Sequence, residues 1–236
     1  MPQNLLSYSI FQYIVDEGRA TQNEAGEIKL PPMDELADKL GVSRGKLREE
    51  LIAAQAYGLV EMRPGDGTYV LPFDFYTAVR TLVLYSLALD KGNFDRFYQL
   101  RVELETAFWD RAARSLQPED KDELQRILER AERRLRGTPV EIPYREHREF
   151  HLRIFDRLDN DFVKGLLRAY WDAYEAVGLH RYFDLSYYEQ MWASHHAIAG
   201  AIAAGQYEKG KKVLIQHFTL LQDRLKQERP IHYPTF

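Results

Sequence analysis

The chain has 236 residues, 45% of them hydrophobic and 29% charged, with a formal net charge of −4. At roughly 150 residues per domain this gives one or two domains, with enough chain to bury a core unaided. The absence of cysteine excludes a disulfide framework, a cysteine-ligated zinc finger, an iron–sulfur cluster and a cysteine nucleophile.

No apolar run approaches the ~18 residues of a membrane span. The start, Met1-Pro2-Gln3-Asn4-Leu5-Leu6, lacks the basic residues and long apolar stretch of a signal peptide. A folded, soluble, cytoplasmic protein with no membrane partner is expected. The 32 basic and 36 acidic side chains argue against non-specific coating of nucleic acid. Residues 1–72 hold 7 Lys/Arg against 11 Asp/Glu, whereas 73–236 hold 25 of each. The one basic cluster in the acidic part is Arg44, Lys46 and Arg48.

Leu6, Ile10, Tyr13 and Ile14 fall on one face of a first helix, with Gly18 as its stop. Residues 19–29 read as a polar loop. Pro31-Pro32 open a second helix, Met33 to Leu40, with Leu36, Ala37 and Leu40 inward and Gly41 at its end. Ser43 caps a third helix, which turns Leu47, Leu51, Ile52 and Gln55 inward and stops at Gly58. Two β-like runs, 59–63 and 68–71, flank the turn Pro64-Gly65-Asp66-Gly67. Residues 1–72 therefore have the outline of a winged helix-turn-helix.

From residue 73 to 236 the pattern is helical throughout. Helices are predicted over 74–90, 94–115, 119–136, 144–158, 161–180, 187–204 and 207–228, forming an all-α antiparallel bundle. The fold class is mainly α. Arg130, Arg133, Arg134 and Arg136 interleave with Glu129 and Glu132 and read as a solvated helix face.

A helix-turn-helix lays its second helix in the major groove. Arg44, Lys46 and Arg48 lie in the first two turns of that helix. Arginine there can fork onto guanine, while Lys46 and the Ser43 hydroxyl suit phosphates. Gly65 and Gly67 let the wing backbone approach the sugar-phosphate surface, and Arg63 joins them at the wing. A bland alternative is that three basic residues on an exposed helix are ordinary surface.

These residues resemble a family. The run Lys29 to Leu51, with Leu30-Pro31, Glu35-Leu36-Ala37, Gly41-Val42-Ser43-Arg44 and Arg48-Glu49, is similar to the winged helix of the GntR family of bacterial transcriptional regulators. So is Tyr57 to Val70, with Gly58-Leu59-Val60 and Gly65–Val70. The resemblance implies a homodimer on a palindromic double-stranded DNA operator. Three positions depart from it. Pro32-Met33-Asp34 stand where the family has Ser-Glu-Arg, Gly45-Lys46 replace Thr-Pro, and Asp66 puts an acid at the wing tip.

Four of the seven histidines fall on apolar helical stripes. His147 and His151 share one with Phe150, Ile154, Phe155 and Leu158. His195 lies with Met191, Trp192, Ile198 and Ile202, and His217 with Val213, Leu214, Leu221 and Leu225. A single inward histidine is more often a satisfied core residue than a ligand. Four facing one core each need partners, and one metal ion satisfies them together. The i,i+4 spacing of His147 and His151 places both rings on one ion. An all-imidazole set favours zinc or nickel over hard metals.

The helical part resembles the ligand-binding FCD domain of the FadR branch of GntR regulators. Phe150-His151, Leu158-Asp159-Asn160, His195 to Ile202 and His217 carry that likeness. It implies a metal held by Asp-x-x-x-His and two later histidines, at positions matching His147, His151, His195 and His217. His147 stands where the family usually has aspartate. Arg101, in a run similar to the family's Arg-x-x-x-Glu helix, is implied as partner of a carboxylate effector; a salt bridge to Glu105 is the alternative. Tyr144, Tyr170, Trp171 and Tyr174 could line a pocket or form plain core.

The expected function is a metabolite-responsive transcriptional regulator, a repressor with a His-bound divalent metal and a small organic acid effector. It is not expected to be an enzyme. The alternatives are a helical-bundle metalloenzyme, which would leave the winged helix unexplained, and a regulator whose metal is purely structural.

Overall fold

The computed structural model describes residues 9–16, 26–178 and 184–227. His180, His232, Leu6 and Gly18 lie outside them, as does the side chain of Leu225. The chain divides into two compact units, Met1–Ala78 and Val79–Phe236.

In the first unit the elements are α1 (Ser9–Asp16), β1 (Ile28–Lys29), α2 (Met33–Leu40), α3 (Arg44–Ala56), β2 (Val60–Arg63) and β3 (Gly67–Val70). Gly41 ends α2 in the left-handed region at φ 65°, where other residues are strained. The chain then turns into α3, whose N-terminus Ser43 caps by accepting from the Lys46 amide at 3.2 Å. Leu36, Ala37, Leu47, Leu51, Ala54 and Val60 bury their side chains with Ile10 and Tyr13.

Two expectations for this unit are corrected. Ile28–Lys29 is not loop; it pairs antiparallel with β3, giving the sheet order β1-β3-β2. The buried face of α3 is Leu47, Glu50, Leu51 and Ala54, and Ile52 and Gln55 are exposed. Glu50 is turned inward because its Oε2 accepts from Ser9 Oγ at 2.8 Å and the Ile10 amide at 3.0 Å, so α3 caps the start of α1.

The helices that follow are α4 (Phe75–Leu89), α5 (Asn93–Ser115), α6 (Pro118–Leu135), α7 (Tyr144–Phe155), α8 (Asp161–Ala176), α9 (Leu185–Ala203) and α10 (Tyr207–Gln227). Two helices are shorter than expected: α7 stops at Phe155 instead of 158, and α8 at Ala176 instead of 180. Local chemistry starts three of them. The Asn160 side chain accepts from the Val163 amide at 3.1 Å, and that of Asp184 from the Tyr187 amide at 2.8 Å. Gln117 and Asp120 form a capping box on α6.

The central helix α5 packs against α7, α8 and α10, and α9 packs against α6 and α10. Gly210 permits the approach of α10: a Cβ there would lie 2.7 Å from Trp109 Cζ2 and 3.4 Å from the Ala201 Cβ. The inward faces of α5, α7, α9 and α10 are where the chemistry lies.

Candidate metal centre and DNA-reading face

The three predicted stripes converge. His147 and His151 from α7, His195 from α9 and His217 from α10 each offer one ring nitrogen, all within 4.8 Å of one another. Their exposures are 5%, 1%, 0% and 6%. His195 is the one of the adjacent pair that lies in the cluster, whereas His196 is partly exposed and lies 3.1 Å from Glu132. Burial, reinforced by neighbouring charges, pushes all four imidazoles well below their ordinary pKa. They are neutral near pH 7, the state a metal ligand needs.

The hydrogen bonds around the cluster are incomplete. His151 Nδ1 lies 2.9 Å from Glu105 Oε2. A carboxylate only accepts, so His151 donates from Nδ1 and keeps its lone pair on Nε2. That places a carboxylate behind the histidine, an arrangement that orients metal-bound imidazoles. His151 Nε2 faces His195 Nε2 at 3.2 Å. His147 Nε2, His195 Nδ1 and His217 Nδ1 have no hydrogen-bond partner among the described residues. Buried nitrogens without partners are costly, and a cation shared among the rings removes that cost. Four neutral ring nitrogens gathered this closely are the donor set of a transition-metal site. The residues present fit a transition metal.

Arg101 and Glu105 sit one turn apart on α5, both almost fully buried. Arg101 donates from Nε to Glu105 Oε1 at 2.6 Å, and its Nη2 lies 3.1 Å from His151 Nδ1. That nitrogen already carries a proton, so the second approach is a contact and not a further hydrogen bond. The guanidinium lies over Tyr170, Trp171 and Phe218. Burial pushes Glu105 above the usual carboxylate range, and the Arg101 charge opposes that push. The Arg101–Glu105 bridge is therefore present. The sequence reading missed the reach of Glu105 to His151, which joins residues 46 positions apart and leaves no local signal.

Trp171, Tyr174 and Tyr144 line a cavity of about 570 Å³, together with Arg145 and Arg148. Tyr170 is core. The arginines of α6, read as a solvated helix face, are ion-paired there, Arg130 with Glu123 and Glu149, and Arg134 with Glu141 and Glu146.

On the first unit, Ser43, Arg44, Lys46 and Arg48 are all exposed along α3. Arg44 Nε pairs with Asp34 Oδ1 at 2.8 Å. Gly65 and Gly67 take φ values of 75° and 150° and shape the wing turn. Arg63 is half-buried, bridged to Glu27 at 2.9 Å and Glu61 at 2.8 Å and stacked on Tyr69. The wing-tip acid is neutralised within the unit: Asp66 accepts from Lys29 Nζ at 3.0 Å and from the Tyr69 hydroxyl at 2.9 Å. Hydrogen bonds from these two hold its carboxyl below the usual range.

The model for bacterial regulatory proteins of the gntR family matches residues 8–70, and the FCD domain model matches 96–220, more than half of the chain. The chain belongs to the GntR family. The Uxu operon transcriptional regulator of Escherichia coli (strain K12) is 30% identical to this GntR chain over 202 residues, 84% of it and 78% of the relative. The HTH-type transcriptional regulator LutR of Bacillus subtilis (strain 168) is 26% identical over 202 residues, 84% and 91%. The structure of Streptococcus agalactiae GntR covers 91% of this chain and 96% of its own at a TM-score of 0.65 and 18% identity, which shows a shared fold. The protein is a DNA-binding transcriptional regulator of the GntR/FCD type and not an enzyme. Among the described residues, no helix is long and apolar enough to cross a membrane.

Proposed function

We propose that this GntR regulator is a cytoplasmic homodimeric repressor whose hold on a palindromic operator responds to a small organic acid bound beside a histidine-held divalent metal. The observation that carries the reading is the buried four-histidine cluster, with ligand atoms within 4.8 Å and three ring nitrogens otherwise unpartnered. Zinc or nickel suits four neutral nitrogens. With no carboxylate among the ligands, a divalent ion keeps its full charge and attracts an anion. Arg101 engages Glu105 through one of its five N–H groups and supplies the positive charge nearest to His151. It is the proposed effector residue.

For DNA, the proposal assigns residues 1–72 to binding and 73–236 to metal, effector and dimerisation. Ser43, Arg44, Lys46 and Arg48 would engage the major groove and its phosphates, and Arg63, Gly65 and Gly67 the wing contact. Neutralisation of Asp66 by Lys29 supports a wing that tolerates phosphate nearby. Dimerisation is supported by α4, where Leu82, Tyr85 and Leu89 form one apolar face at 65%, 63% and 70% exposure. Selection from random duplexes, followed by anisotropy titrations of the zinc-loaded protein with and without organic acids, tests the reading. An enriched palindrome whose affinity an acid shifts by about 5- to 150-fold is expected. Failure to enrich any palindrome refutes it.

A further inference from the structure

Two tryptophans stand against the histidine cluster. The Trp171 ring centroid lies 4.6 Å from that of His147 and 5.4 Å from that of His151. Trp192 lies 4.7 Å from His195 and 6.3 Å from His147. They are 2% and 3% exposed, and neither indole Nε1 has a hydrogen-bond partner among the described residues. The remaining tryptophan of the chain, Trp109, is satisfied: its Nε1 donates to the Tyr207 carbonyl at 2.9 Å. The two tryptophans left without an acceptor are the two at the cluster.

An indole N–H only donates, so whatever completes it must accept. A metal ion satisfies the histidine nitrogens and cannot satisfy an indole. Four neutral imidazoles around a divalent ion leave its charge uncompensated, and the nearest carboxylate, Glu105, already bridges Arg101 and His151. A ligand that suits both the ion and the indoles is therefore anionic and accepts hydrogen bonds. A carboxylate does both, with one oxygen for each indole. Ammonium and guanidinium groups offer only donors and are rejected by the same lining. Trp171 also lines the 570 Å³ cavity, so one of the two indoles stands between the cluster and an opening on the surface.

We propose that the indole N–H groups of Trp171 on α8 and Trp192 on α9 are the hydrogen-bond donors for a small carboxylate held at the four-histidine site. This rests on the metal-and-effector reading above and names the residues that recognise the acid.

The test uses the zinc-loaded full chain with L-lactate, malonate and citrate as probes and neutral lactamide as control. In the unmodified protein, at least one carboxylate should shift the indole ¹⁵N–¹H resonances of Trp171 and Trp192, leave that of Trp109 in place, and be followed by no such shift with lactamide. Trp171→Phe and Trp192→Phe keep an aromatic ring and remove the donor. Each should weaken binding of that carboxylate by about ten- to a hundredfold in calorimetry, with bound zinc unchanged. Carboxylate binding that leaves both indole resonances unmoved overturns the inference even if the variants misfold. So does wild-type affinity in both variants. If zinc binds and none of the probes does, the inference fails and the metal centre stands; if zinc itself does not bind, the underlying reading fails as well.

Discussion

The Asp34–Arg44 pair makes a quantitative prediction about operator affinity. Arg44 opens the recognition helix, and its guanidinium is engaged by an acid one element earlier, at 2.8 Å with both side chains 69% exposed. Exposed pairs contribute about 0.2–1 kcal/mol, and DNA must break this one before Arg44 can fork onto a base. Removing the acid with Asp34→Ala should therefore tighten each half-site by up to about fivefold, and a dimer on two half-sites by up to about thirtyfold. Asp34→Arg adds a cation as well, and should steepen the salt dependence of log K by about 0.9 for each new phosphate contact. Anisotropy on a selected operator across a salt series measures both. The double variant isolates the cause: with Arg44→Ala in place, most of the gain from Asp34→Ala should vanish. Weaker binding by Asp34→Ala, or an equal gain with and without Arg44, refutes the reasoning.

Three further outcomes follow from the helical unit. Arg101→Ala leaves Glu105 buried without its cation, so it should cost about 3–5 kcal/mol and lower the melting temperature by at least ~6 °C; calorimetry showing less than half that cost would mean the pair is dispensable. Gly210→Ala sets a Cβ 2.7 Å from an indole fixed by its own hydrogen bond, and a loss of about 1–3 kcal/mol in urea unfolding is expected, against an unchanged midpoint if α10 shifts freely. The four histidines have pKa values depressed in the folded state. Metal-free protein should be unaffected by them above the unfolded value of ~6.5 and lose stability as pH falls below it, by up to ~1.4 kcal/mol per unit for each ring. Stability of chelator-treated protein that stays flat from pH 7 to pH 5 would contradict their burial as neutral groups.

The legible parts of this molecule were periodic or local. Histidines in register with Phe150, Ile154, Ile198 and Leu214 announced both their helices and their inward direction, and most predicted helix ends fell within two residues of the observed ones. Ser43 announced α3 because an N-cap acts across three residues. What escaped depends on partners distant in sequence. The two-residue β1 is too short for any alternation and exists only through its pairing with Tyr69 and Val70. Glu50 was not among the residues expected to face inward, because its role, capping α1, lies 40 residues away. The Asp34–Arg44 and Glu105–His151 contacts join different helices, and composition gives no sign of which acid meets which base.

The most direct test of the metal centre is elemental analysis of protein purified without chelator, repeated after dialysis against zinc or nickel. The four-histidine site predicts close to one transition-metal ion per chain, lost when His195→Ala and His217→Ala are combined. Less than about a tenth of an equivalent, with no uptake on adding either metal, would contradict the account and leave the four histidines as a polar core cluster.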